Sequence, residues 1–275
     1  MSKLRILYVA SEIQPFLQTT AVADFIRKLP QEMQDRGMEI RILVPRFGLI
    51  NERKNRLHEV VRLSGINISV GEEEKALVIK VASIPNARLQ VYFIDNEDYF
   101  HRKSVFEDKD NRFHEDNDER AIFFCKGVLE TVRKLGWAPD IVHCYDWMTA
   151  LIPLYLKTTY KKDPIFKDAK SIFSIYNNTS FTHKFDFASL IDKVKMMDIE
   201  DDMLAHLREG DFNGFMRMGM TYADAIVRAE GEYNDDLKRL ITEVELSKAI
   251  ECIEDTENAE CYDKYHDLYT KLTSC

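Results

Sequence analysis

Short β-branched runs alternate with helical patterns along most of this chain, and that alternation limits the fold more than any other feature. "LRILYVA" is followed by a helical pattern over about residues 21 to 37 and then by "EIRILVP", the order expected of βαβ units around a mostly parallel sheet. "ALVIKVASI", "LQVYFID", "DIVHCY", "SIFSIY" and "AIVRA" are further strand candidates. Between "VYFID" and "DIVHCY", Ile122, Phe123, Leu129 and Val132 share a broad face of a helix over about residues 117 to 135, because a 3.6-residue period places them together. The reading is α/β: a single Rossmann-like, doubly wound domain. No internal repeat and no Pro/Gly/Ser-rich linker divides it.

With 275 residues, 45% of them hydrophobic, the chain can build a sizeable core. Acidic residues outnumber basic ones 47 to 38, for a formal net charge of -9. Such a field repels nucleic acid and anionic membrane, and neither is expected as a partner. The five cysteines, Cys125, Cys144, Cys252, Cys261 and Cys275, are widely spaced with no C-x-x-C pair, which argues for reduced thiols and against a disulfide framework or a zinc site. The apolar start runs at once into Ser11 and Glu12, and nothing later reaches transmembrane length, so a soluble, cytoplasmic protein is expected. Nothing sets an oligomeric state.

The run "EDKDNRFHEDNDER" reads as a solvated loop leading to a helix N-terminus, where acids suit the dipole, in preference to a metal site. After Arg228 the texture changes. The remaining residues show no strand pattern and predict two helices, the first capped near Asn234 or Asp235. Leu237, Leu240, Ile241 and Val244 mark one face of that first helix, while Leu246, Ala249, Ile250 and Ile253 mark another. Tyr262, Tyr265, Tyr269 and Leu272 form a stripe on the second helix, as core packing or, less commonly, a ligand-stacking surface.

The segment "LGWAPDIVHCYDWMTALIPLYLKTTYKKDPIFKDAKSIFSIYNN" resembles the bacterial glycogen synthase and plant starch synthase family. It matches the run G-W-x-P-D-I-v-H-x-H-D-W-x-t-A-L-x-P-x-Y-L-K and the strand ending in I-H-N. "VYFIDNEDYFHRKSVFED", with Asp116, Asn117, Glu119 and Arg120 after it, is similar to the approach to the family's D-N-x-E-R-F helix. "LYVASEIQPFLQTTAVADFIRKLP" is similar to its S-E-x-x-P-x-x-K-T-G-G-L-A-D-V-x-x-x-L-P run. The likeness covers about residues 3 to 230 in register. It implies the N-terminal, acceptor-side half of a GT-B glycosyltransferase over residues 1–230, with residues 231–275 as a C-terminal helical extension packed on it. The family's donor domain, which holds ADP-glucose or UDP-glucose, has no counterpart in these 275 residues.

The departures fall on the family's site. Gln18, Thr19, Thr20 and Ala21 stand where the family has K-T-G-G. A cation for the donor phosphates is lost, and side chains replace glycines that let backbone N–H groups approach a phosphate. Tyr145 replaces the second histidine of H-x-H-D-W, Tyr176 replaces that of I-H-N, and Val227, Arg228 and Ala229 replace V-S-P. A phenol cannot serve as imidazole near neutral pH. No catalytic residue is therefore expected, Gln18, Tyr145 and Tyr176 being degenerate positions, and no metal or cofactor. His143, Tyr145, Asp146, Trp147 and Asn177 are candidate glucan contacts, since sugars favour aromatic platforms beside hydrogen-bonding groups. For Trp147 core packing is the more ordinary reading, and His143 and Asp146 could equally be a satisfied strand-end histidine and a helix cap. The expected role is an α-glucan-binding or synthase-associated module without autonomous catalysis, partnered by glycogen or an authentic synthase. The alternative is an active glucosyltransferase, from ADP- or UDP-glucose to α-1,4-glucan, completed by a donor domain on another chain. A dinucleotide enzyme is disfavoured because G-x-G-x-x-G and G-x-x-x-x-G-K are absent. His143 and Cys144 are adjacent on a strand and face opposite ways, which argues against their pairing.

Overall fold

A computed structural model describes residues 3–178 and 180–274; Cys275 lies outside them. The strands are β1 (Arg5–Val9), β2 (Glu39–Pro45), β3 (His58–Glu59), β4 (Ile66–Val70), β5 (Glu73–Ser83), β6 (Gln90–Asp95), β7 (Ile141–Tyr145), β8 (Lys170–Ile175), β9 (Ala225–Arg228) and β10 (Ile250–Cys252). The helices are α1 (Val22–Asp35), α2 (Glu52–Asn55), α3 (Glu97–Phe100), α4 (Asn117–Leu135), α5 (Ile152–Lys157), α6 (Phe187–Val194), α7 (Phe212–Tyr222), α8 (Asp235–Glu245) and α9 (Ala259–Thr273).

The ten strands form one sheet in the order β10-β9-β8-β7-β1-β2-β6-β5-β3, with β4 paired to β5. From β10 to β6 every pairing is parallel, and β5 runs antiparallel at the far side. The central strands are apolar nearly throughout because both faces are covered, as parallel sheets require. β7, for example, is buried at all of its positions. On one face α4, α5, α7 and α8 pack in sequence. On the other, α1 and α9 lie side by side.

The chain runs from β1 outward to β2 and β6, then crosses back to β7 and continues outward to β10. The carboxyl ends of β1 and β7 are therefore a topological switch point, where open α/β sheets form a crevice. Everything that follows is positioned by that reversal.

The tail departs from expectation. Residues 250 to 252 do not continue a helix; they form β10, parallel to β9, so the last segments extend the sheet as another βαβ unit and α9 then folds back over it. α8 stops at Glu245, and the turn after it brings Lys248 to the C-terminal end of α7. There its ammonium donates to the carbonyls of Met220 (3.2 Å), Thr221 (3.0 Å) and Ala223, satisfying groups that a helix end leaves unpaired. A three-residue strand is too short to show an alternation, and Ile250 fell instead into the helical pattern. Asn234 does cap α8, its Oδ1 accepting from Leu237 N at 2.9 Å.

Residues of the charged run 107–116 are a loop, and α4 begins at Asn117 as expected. Its end, however, is not solvated. Asn117, Asp118 and Arg120 are buried, and the Arg120 guanidinium donates to Tyr99 O at 2.8 Å and Val105 O at 2.6 Å between the rings of Phe47 and Phe100. Burial lowers its pKa to about 10, so it stays charged and fastens the preceding loop to the helix.

Candidate functional site

A cavity of about 470 Å³ opens at the carboxyl ends of β1, β7, β8, β9 and β10. Each strand contributes the loop that follows it: Glu12 after β1, Asp146 after β7, Asn177 after β8, Glu230 after β9 and Asp255 after β10. Phe25 of α1 and Phe106 supply apolar wall. Glu12, Asp146, Glu230, Glu254, Asp255 and Glu257 all line it, and no lysine, arginine or histidine is among its lining residues.

Glu12 explains the loop between β1 and α1. Its carboxylate, 4% exposed, accepts from Thr20 N at 3.1 Å, Thr19 Oγ1 at 2.7 Å, Thr19 N and Thr20 Oγ1. The amides that a phosphate would need are turned onto the protein's own anion. Gln18 is exposed and lies outside the cavity wall, donating to Asp24 at 2.5 Å and accepting from Gln14 at 3.1 Å.

Of the candidate glucan contacts, Asp146 and Asn177 line the cavity, with Tyr176 beside them. Asp146 sits at φ 64°, ψ 174°, a region of backbone space used almost only by glycine, and burial pushes its carboxyl up to about 7. Asn177 staples the segment after β9. Its Nδ2 donates to Glu230 at 2.6 Å and Glu232 O at 2.8 Å, and its Oδ1 accepts from Asn234 N at 2.9 Å.

His143, Tyr145 and Trp147 lie beneath the cavity, enclosed. His143 Nδ1 is 2.8 Å from the Tyr269 hydroxyl and 3.0 Å from that of Tyr145, and Nε2 is 2.8 Å from Ser174 Oγ. A neutral imidazole donates from one ring nitrogen and accepts at the other, and the hydroxyls on both sides suit either tautomer. Desolvation holds the imidazole neutral, its pKa well below the ordinary value. Trp147 packs among Phe106, Phe113, Phe181 and Phe215, so for it the core reading holds in this state. For His143 and Tyr145 the physical reason for this enclosure is α9. Tyr265 and Tyr269 are 0% and Tyr262 8% exposed, and the helix lies over Tyr8, His143 and Tyr145. The tyrosine stripe is packing against the sheet.

The acidic wall was missed in the sequence. Glu230, Asp255 and Glu257 come from loops whose convergence depends on β10 being a strand. Among the described residues no group of three or more His, Cys, Asp or Glu is placed to hold a metal ion, and no helix is long and apolar enough to cross a membrane.

These features define a class: a doubly wound, Rossmann-like α/β domain with its crevice at the carboxyl edge of the sheet. The model of the starch synthase catalytic domain family matches residues 5–251, and the chain belongs to that family. It is 37% identical over 235 residues to the glycogen synthase of Chlorobium limicola, covering 85% of this chain and 47% of that protein. It is 35% identical over 268 residues to that of Chlorobaculum parvum, covering 96% and 52%. The chain thus spans about half the length of the curated relatives it matches. Among solved structures, the catalytic domain of starch synthase IV from Arabidopsis thaliana bound to ADP and acarbose superposes with a TM-score of 0.72 at 18% identity, covering 93% of this chain and 53% of that one. That likeness supports the fold alone.

Proposed function

We propose that this chain is a glycogen/starch synthase-like domain that binds α-glucan in the carboxyl-edge cavity and does not transfer glucose by itself. The observation that carries this reading is the wall of six carboxylates with no cation among the lining residues. Transfer from a nucleotide sugar needs preorganised positive charge for the departing diphosphate. Here each carboxylate that is ionised, which Asp146 and Asp255 are fully only above pH about 7, would oppose a phosphate about 5 Å away by roughly 3 kcal/mol at an effective dielectric near 20. A neutral saccharide meets the opposite situation. Its hydroxyls donate to ionised carboxylates, charge-assisted bonds stronger than neutral ones, while the half-buried Phe106 gives its C–H surfaces an apolar wall.

Asp146 and Asn177 are then the glucan contacts at the cavity, whereas His143, Tyr145 and Trp147 support them from below. The relatives named glycogen synthase make glycogen the first polymer to try. The test is electrophoresis in native gels with and without glycogen. Retardation of the wild-type protein, weakened about tenfold in apparent affinity by Asn177→Ala, is the expected result. Unretarded migration would overturn it. The competing reading, an active transferase completed by a donor domain on another chain, draws on the relatives' roughly double length. It predicts glucose incorporation when such a domain is added, and none with the chain alone.

A further inference from the structure

A second cavity, of about 430 Å³, lies where β4, α4 and the segment after α6 meet, and it shares no lining residue with the carboxyl-edge crevice. Lys126, Glu130 and Arg133 stand one turn apart along α4 and so share a helix face. Met196 and Met197, after α6, give the cavity an apolar strip, with Met197 79% exposed. In a chain of formal net charge -9, this lining is cationic: Lys126, Arg133 and Lys195 stand against one carboxylate, Glu130.

Lys126 gives the cavity its character. The residue is 3% exposed, and its ammonium donates to two carbonyls, Ser69 O at 2.9 Å and Lys193 O at 3.1 Å. Its third N–H has no hydrogen-bond acceptor among the described residues, the Tyr155 ring centre lying 5.9 Å away. Glu130, one turn along, is engaged elsewhere: Oε1 accepts from the Tyr160 hydroxyl at 2.5 Å, and Oε2 pairs with Arg133 at 2.5 Å. A buried charge is ordinarily paired with an opposite one, whereas here carbonyl dipoles offset only part of it. Arg133 and Lys195 are about half exposed, and Lys195 pairs with Asp201, outside the lining, at 2.6 Å. Exposed pairs hold little free energy, so both side chains can turn to a ligand.

We propose that this cavity binds a small phosphate ester, with its phosphate among Lys126, Arg133 and Lys195 and its organic part against Met196 and Met197. This goes beyond the glucan reading and does not depend on it. Three cations against one carboxylate leave two positive charges on the lining, which a phosphate monoester, close to a dianion above neutral pH, balances. A carboxylate ligand would leave one of them over. The arginine fork and the lysine point charges both suit phosphate oxygens, and the methionine strip favours an ester over inorganic phosphate.

Calorimetric titration with phenyl phosphate at about pH 7.5 and constant ionic strength tests this, with phenol as the uncharged control. Saturable binding of phenyl phosphate is expected, weakened about tenfold by Arg133→Gln and by Lys195→Gln. Lys184→Gln, at another cavity, should leave the affinity unchanged. Lys126→Met should abolish binding; if that variant fails to fold, the two exposed positions decide the matter, since neither is part of the core. Absence of binding by the wild type, phenol bound as tightly as phenyl phosphate, or wild-type affinity in Arg133→Gln and Lys195→Gln would each overturn the proposal.

Discussion

Among Tyr8, Tyr145 and Tyr269 the His143 imidazole is neutral because water cannot reach it. In the unfolded chain it takes a proton below about 6.5. Its contribution to stability is therefore present above that value and lost as pH falls through it. His143→Phe should flatten the acid side of the Tm-versus-pH curve relative to wild type, whatever it costs in absolute Tm; an unchanged slope would show that His143 is not desolvated. Asp146 is a second case where backbone and side chain speak separately. Its positive φ costs on the order of 1 kcal/mol in a non-glycine residue, so Asp146→Gly should raise the urea midpoint while Asp146→Ala does not. The sequence announced both residues, since they stand in a quoted motif, but not their surroundings. Tyr145 read as a lost histidine, and the structure places its ring against His143 at 4.2 Å, where an apolar and hydroxyl-bearing side chain completes a tyrosine network.

Elements were legible where period and burial agree. β2 and α4 have the bounds their patterns predict, and the cap on α8 is the expected asparagine. β10 was not legible because three residues carry no period, and with it went the true place of the tail. Helix packing has its own signatures. Gly219 of α7 lies so close to β8 that a Cβ there would meet the Phe173 ring at 2.5 Å, and Gly219→Ala should destabilise by about 1–3 kcal/mol through overpacking, read as a lower denaturation midpoint. Lys126 is an instance that no helical pattern reveals. It sits in the apolar α4, 3% exposed, and its ammonium donates to Ser69 O at 2.9 Å and Lys193 O at 3.1 Å, joining β4 to α6. Burial draws its pKa down to about 8. Lys126→Met keeps the volume and strands both carbonyls, so it should cost about 1–3 kcal/mol.

At the scale of the whole molecule, the reversal of winding between β1 and β7 creates one crevice, and the loops that meet there give it a negative wall. The family's departures at Gln18, Thr20 and Ala21 pointed to loss of a phosphate site. Where the acids gather follows only from the topology, because Glu12 and Asp255 are more than two hundred residues apart in the chain. The central claim is that this crevice selects neutral glucan over sugar nucleotide. Calorimetric titration of the same protein with maltoheptaose and with ADP-glucose tests it most directly. Heat of binding with maltoheptaose and none with ADP-glucose is the predicted result. Tighter binding of ADP-glucose than of maltoheptaose would contradict it.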